Sequence, residues 1–281
     1  MKVRREHIEQ YAAEGCTRVE GVFDEVWVTR LRDALDQIEA TFARGQTPDL
    51  VAEPPAQNPP SVHRTGNGGV QLRNCVYADQ ALLDWLTTSP AAQTVGTLME
   101  AASVRFWMDA TFIKSGGDPD SATPWHNDVC TFPFTGEHLP SFWVALTDVA
   151  LHNAPMLTLA GSNCDPHRYH SPLSRQDVTL PGYRPWQELL DRVVDTGADI
   201  RTWEAKAGDI LLIHPKTIHA SLPRAAGLPG KRIAFTTRWI GSDVVWVPDA
   251  LSASIPRLSE NPAMVVGESP PEELFPILWR R

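Results

Sequence analysis

The chain has 281 residues, with 25 Lys and Arg against 34 Asp and Glu, a formal net charge of −9 at pH 7. Such an acidic surface repels phosphate backbones and anionic lipid, which excludes nucleic acid and membrane surfaces as first expectations for a partner. At 42% hydrophobic and 21% charged it has an ordinary globular composition and enough length to bury a core without staples, while 24 Pro and 10 Trp point to long ordered loops.

A short helix is expected from about Glu6 to Ala13, stopping near Gly15, followed by an extended Thr17-Arg18-Val19. A longer helix is expected from about Asp24 to Phe42, because Val26, Val28, Leu31, Leu35, Ile38 and Phe42 recur at three- and four-residue steps. From Gly45 to about Asn74 the sequence turns to Pro, Gly, Asn and Gln, including Thr65-Gly66-Asn67-Gly68-Gly69, and reads as a loop. Another helical stretch, Gln80 to about Ala101, closes the N-terminal part. Beyond Ala102 short β-rich runs follow at Val104–Trp107, Ala110–Lys114, Phe142–Thr147, Met156–Leu159, Asp209–Ile213 and Arg232–Ile240. Helices first and antiparallel-looking strands after give an α+β expectation, with N-terminal helices (about 1–101) buttressing a jelly-roll barrel (about 102–250). The segment 164–202, with a helical piece at Trp186–Val194, interrupts the strands and is expected to be a lid or binding loop. No internal repeat is present, so residues 1–281 read as a single domain. Cys16, Cys75, Cys130 and Cys164 make no CxxC pair. The Met1–Arg5 start leads into polar Glu6 and His7, and no apolar run approaches the ~20 residues of a membrane span, so a soluble, cytoplasmic protein is expected.

The chemistry concentrates in Thr123-Pro124-Trp125-His126-Asn127-Asp128. Residues two apart in a strand share a face, so His126 and Asp128 can aim an imidazole and a carboxylate at one metal. The motif is short enough to arise by chance, and a third ligand must come from elsewhere. His214 ends an apolar strand before Pro215 and is expected in the core, whereas His219 follows the break, at the barrel rim, and is the candidate. On the next strand Arg232, Ala234, Thr236 and Arg238 share one face, and a guanidinium inside a barrel needs an anion. Two His and one carboxylate leave about three positions on an iron open, the arrangement of non-haem Fe(II) oxygenases. A keto acid can chelate through two of these and O2 can take the third, with Arg232 holding the far carboxylate of 2-oxoglutarate.

These residues, with Phe112-Ile113-Lys114, Phe142-Trp143-Val144-Ala145-Leu146-Thr147-Asp148, Ala160-Gly161-Ser162, Gly208-Asp209, His219-Ala220-Ser221 and Thr237-Arg238-Trp239, resemble the phytanoyl-CoA dioxygenase family of Fe(II)/2-oxoglutarate enzymes over nearly the whole chain. The resemblance implies a double-stranded β-helix with iron on His126, Asp128 and His219 and the co-substrate on Arg232. It also implies that Ser221 bonds the distal carboxylate and that Trp143 lines its pocket. The family's halogenating members lack the carboxylate ligand, so the presence of Asp128 argues against halogenation. Whether Arg238 shares the work of Arg232 stays open, because the turn between His219 and Arg232 is longer than the family's usual interval.

Rival readings carry less. His167 and His170 stand three apart but in a polar, Pro-containing stretch that reads as loop, and Cys130 reads as a small buried hydrophobe. Trp107, Trp125, Trp143 and Trp239 fall on or near the expected strands and Phe132 and Phe134 follow the motif; such rings can wall a pocket for a bulky or polycyclic small molecule, or simply fill the core. Lys114 and the basic residues of the insertion are candidates for meeting a polar substrate. The leading expectation is a secondary-metabolite tailoring oxygenase that hydroxylates, epimerises or cyclises. The alternative is a non-catalytic cupin-like binding protein, which has no use for a carboxylate clamp beside the metal.

Overall fold

The computed structural model describes residues 2–64, 69–115, 121–197, 199–252 and 255–281. Its N-terminal part begins with α1 (Arg5–Glu14), β1 (Cys16–Val19) and α2 (Glu25–Ala43). Asp24 starts α2 by accepting the Trp27 backbone N–H at 3.0 Å, and Val28, Leu31, Leu35 and Ile38 form its buried face. Gly15 ends α1 in the left-handed region at φ 76°, where a β-carbon would collide with the Thr217 hydroxyl.

Two stretches of the N-terminal part differ from the sequence expectation. The presumed loop from Gly45 to Asn74 contains a hairpin, β2 (Ser61–Arg64) and β3 (Gly69–Arg73), with Val70 and Leu72 buried in the core. Residues 65–68 of that stretch lie outside the described residues. The single helix expected over Gln80–Ala101 is two, α3 (Gln80–Thr88) and α4 (Ala91–Leu98). Pro90 forces the break, since it has no N–H to donate and pushes Ser89 into an extended conformation at ψ 170°.

Strands dominate the rest: β4 (Ser103–Lys114), β5 (Thr123–His126), β6 (Phe134–Thr135), β7 (Ser141–Ala145), β8 (Met156–Leu159), β9 (Arg168–His170) and β10 (Tyr183–Pro185). Helix α5 (Trp186–Thr196) precedes β11 (Ile200–Trp203), β12 (Ile210–Ile213), β13 (His219–Ser221), β14 (Arg232–Gly241) and β15 (Val245–Trp246), and α6 (Pro256–Ser259) and β16 (Ile277–Arg280) end the chain. Among the described residues a larger sheet runs β1-β12-β7-β14-β4-β3-β2, with β16 also on β4, and a smaller one runs β11-β8-β13-β5. All of these pairings are antiparallel, and the two sheets make the double-stranded β-helix.

Alternation along the strands divides the interior in two. Phe142, Val144, Ile210, Leu212, Ile233 and Phe235 face the helices and build the main core. Their neighbours Trp143, Ala145, Leu211, Ile213 and Ala234 turn into the barrel. The runs Val104–Trp107 and Ala110–Lys114 are one strand, β4, interrupted by an extra residue, Trp107, between the pairs Trp239–Phe106 and Arg238–Met108. Before this bulge Val104 and Phe106 face the helices, and after it Ile113 does. The segment 164–202 packs Tyr169, Trp186 and Leu189 against Leu159, Ile218 and Trp125 on the outside of the smaller sheet. Trp125 and Ile218 in this cluster directly precede His126 and His219 in the chain.

Candidate metal centre

His126 closes β5, His219 opens β13, and the two are direct register partners with ring centroids 4.1 Å apart. Two residues past the first, Asp128 brings its Oδ1 to 3.7 Å from His126 Nε2. One ligand atom from each of the three side chains lies within 4.8 Å of the others, the sole such cluster of three or more His, Cys, Asp or Glu among the described residues. All three residues are buried. His214 is outside the cluster, as its place before Pro215 led one to expect. Its Nε2 lies 3.2 Å from Glu137, and its ring packs against Tyr11.

The backbone sets the state of both rings. His126 Nδ1 lies 2.8 Å from the Pro124 carbonyl and His219 Nδ1 lies 2.9 Å from the Thr217 carbonyl. A carbonyl can only accept, so each Nδ1 carries a proton and Nε2 is the nitrogen turned toward the other ligands. Burial, followed by the neighbouring His219, pushes His126 down to about 3, which keeps it neutral. Burial works the other way on Asp128, but Arg238, His219, His126 and the Ser141 hydroxyl together outweigh it and hold the carboxyl below its ordinary range. Two imidazoles and an ionised carboxylate are the donor set that a divalent iron takes. The three residues fit that metal.

A second, cationic end lies along β14. Arg232 is buried, donates to the Ala154 carbonyl at 3.0 Å, and sits 5.1 Å over the Trp143 ring, while its Nε has no partner. Its register partner is Lys114, whose Nζ donates to Ser221 Oγ, and Ser221 in turn donates to Thr123 Oγ1 at 3.0 Å. Burial pushes Arg232 down to about 10, and burial followed by Arg232 pushes Lys114 down to about 6. Among the described residues neither forms an ion pair. Two buried basic groups side by side without a carboxylate make a receptor for an anion, and the orphaned Nε is the mark of a missing acceptor. Between this end and the metal ligands the inward positions are Ala234 with its register partner Ala145, and Thr236 with Trp143. Arg238 lies at the metal end, its NH2 3.6 Å from Asp128 Oδ1 and its guanidinium 5.2 Å over the Phe132 ring.

The structure brings together His126, Asp128 and His219, and separately Arg232, Ser221 and Trp143. Lys114, which the sequence offered as a contact for a polar substrate, joins the second group. Ser141 was missed altogether: its hydroxyl donates to Asp128 Oδ2 at 2.6 Å. The only sequence signal for it was its place two residues before Trp143 on an alternating strand. The aromatics beyond the motif turn out to fill core, Trp107 meeting Phe132 and Phe134 edge-on at 4.8 and 4.9 Å. Cys130 is buried, and burial pushes its thiol up to about 11. His167 bonds Asp165 at 2.9 Å instead of pairing with His170.

Comparison with known proteins bears on this geometry. No curated relative matches the chain. The solved structure of the non-heme α-ketoglutarate-dependent carbocyclase SnoK from nogalamycin biosynthesis matches with a TM-score of 0.71 at 18% identity, over 98% of this chain and 96% of that one. The epimerase SnoN from the same biosynthesis gives 0.68 at 19% identity, over 98% and 96%. EctD from S. alaskensis, crystallised with 2-oxoglutarate and 5-hydroxyectoine, gives 0.65 at 15% identity, over 97% and 86%. These likenesses establish the fold. No helix among the described residues is long and apolar enough to cross a membrane. A model of the phytanoyl-CoA dioxygenase family matches residues 11–227, and the chain belongs to that family of Fe(II)/2-oxoglutarate-dependent oxygenases.

Proposed function

We propose that the whole chain is one catalytic domain that oxidises a C–H bond of a small molecule in secondary metabolism, with iron on His126, Asp128 and His219. The observation that carries this reading is the pairing of a buried His, Asp and His cluster with a buried arginine whose Nε lacks an acceptor. In this reading His126 and His219 offer Nε2 and Asp128 offers a carboxylate oxygen. Arg232 grips the distal carboxylate of 2-oxoglutarate, Lys114 adds a second donor, Ser221 orients Lys114, and Trp143 supports the guanidinium from below. Ala145 and Ala234 are the small inward side chains between the two ends, beside Trp143 and Thr236. The bound iron and keto acid together supply an oxidant strong enough for an unactivated carbon, with 2-oxoglutarate, O2 and R–H giving succinate, CO2 and R–OH.

Hydroxylation is the default outcome. The likeness to a carbocyclase and an epimerase of nogalamycin biosynthesis favours a polycyclic substrate and makes ring closure or epimerisation the first variants to look for. The test is succinate formation from 2-oxoglutarate with Fe(II) and a panel of polycyclic metabolites, followed by mass analysis. A gain of one oxygen means hydroxylation, loss of two hydrogens means ring closure or desaturation, and an unchanged mass with altered retention means epimerisation. Substrate conversion with Zn(II) alone and no 2-oxoglutarate would overturn the reading.

A further inference from the structure

Asp128 lies beyond the end of β5, with backbone angles φ −79° and ψ −33°, so strand pairing does not fix its side chain. Something else must decide which carboxylate oxygen faces the histidines. Ser141 occupies β7, held on one side by β12 through Ile213 and on the other by β14 through Arg238. It is 2% exposed, and its hydroxyl donates to Asp128 Oδ2 at 2.6 Å. The remaining oxygen, Oδ1, faces His126 Nε2 at 3.7 Å. Arg238 adds charge from 3.6 Å, too long for an ordinary hydrogen bond, so direction comes from the hydroxyl.

We propose that Ser141 is a positioning residue that holds Asp128 Oδ2 back and presents Oδ1 alone to the metal. The inference rests on the iron reading above. The two sheets thereby divide the labour, the smaller supplying the ligands while a rigid central strand of the larger fixes the rotation of one of them. A carboxylate offering both oxygens would take up a coordination position that the chelating keto acid and dioxygen need between them. A single-oxygen ligand leaves that position open.

The test is a titration of the full-length protein with Co(II), read by equilibrium dialysis and by the visible d–d spectrum, in wild type and in Ser141→Ala, Ser141→Thr and His126→Ala. Loss of a hydrogen bond behind a metal ligand typically weakens metal binding 10–100-fold, and that drop, with a changed spectrum, is expected for Ser141→Ala. Ser141→Thr keeps the hydroxyl and should restore both. If Ser141→Ala binds Co(II) within twofold of wild type with the same spectrum, while His126→Ala abolishes binding, the inference fails and the iron reading stands. A lowered melting temperature in Ser141→Ala without a change in spectrum or affinity refutes it equally, because the hydroxyl then serves only the fold. If wild type holds no Co(II), or His126→Ala holds it as well as wild type, the iron reading falls and takes the inference with it.

Discussion

Replacing Arg232 by Met should make the protein more stable and its co-substrate site worse. The guanidinium is buried without an ion pair among the described residues, and burial pushes it from 12.5 down to about 10. At 1.36 kcal/mol per unit this corresponds to on the order of 3 kcal/mol of desolvation working against the folded protein. Methionine loses the bond to the Ala154 carbonyl, about 1.5 kcal/mol for a charged donor, but keeps a sulfur contact with the Trp143 ring. The net gain of about 1.5 kcal/mol raises the melting temperature of a chain this size by about 3 °C. Against that, a carboxylate loses a charge-assisted, two-pronged partner at roughly 1.5–3 kcal/mol per bond, which weakens 2-oxoglutarate binding by about 10² or more. Thermal unfolding with Mn(II), titrated with 2-oxoglutarate, reads both effects, because a ligand that binds only the folded state raises the melting temperature as its concentration grows. A variant that melts below wild type and responds to 2-oxoglutarate at unchanged concentrations would refute the assignment of Arg232 as an anion receptor.

His126→Ala and His219→Ala should each lose stoichiometric Fe(II) or Co(II) while keeping the circular dichroism of wild type, and retention of the metal removes that residue from the set. His214→Ala should do the opposite: it breaks the bond to Glu137 and the packing on Tyr11, lowering stability by ~1–3 kcal/mol with metal affinity unchanged. The His138–Asp243 pair at 2.9 Å sets a pH response, because the hydrogen bond to Asp243 raises the His138 value against the opposing effect of burial. A raised histidine contributes fully below its unfolded value of ~6.5 and loses that contribution as pH climbs through the folded value. Melting temperature should therefore decline over that window, and Asp243→Asn should flatten the decline.

Much of the centre was readable because its parts obey local rules. His126 ends a strand and Asp128 stands two residues on, although past the strand and in a turn so that shared strand facing does not align them, and His219 follows a proline break that sets it apart from His214. Arg232 stands out as a charge at an inward position of an apolar strand. What sequence could not show was register. Lys114 meets Arg232 through the pairing of β4 with β14, strands far apart in the chain, while Ser141 reaches Asp128 from the other sheet, and no periodicity encodes either meeting. The β2–β3 hairpin was hidden by the Gly and Pro clusters around it, and the break at Pro90 was overridden by continuous apolar spacing on both sides. The aromatics near the motif were ambiguous for a different reason: a ring lining a cavity and a ring filling a core have the same sequence signature.

The extra residue at Trp107 makes β4 two half-strands in opposite phase. Deleting Trp107 itself would leave both halves facing as they do, because Phe106 and Met108 already stand opposite consecutive residues of β14, but losing any residue beyond it would turn over every side chain past the cut. If a residue between Met108 and Ile113 were lost and the Ser103–Phe106 half kept its hold on the helices, Ile113 would point into the barrel and Lys114 into the apolar layer against the helices. Length changes in this strand are therefore far more dangerous than substitutions. An engineer reshaping the enzyme for other molecules should leave the count of residues between Ser103 and Lys114 alone and vary only which ones they are.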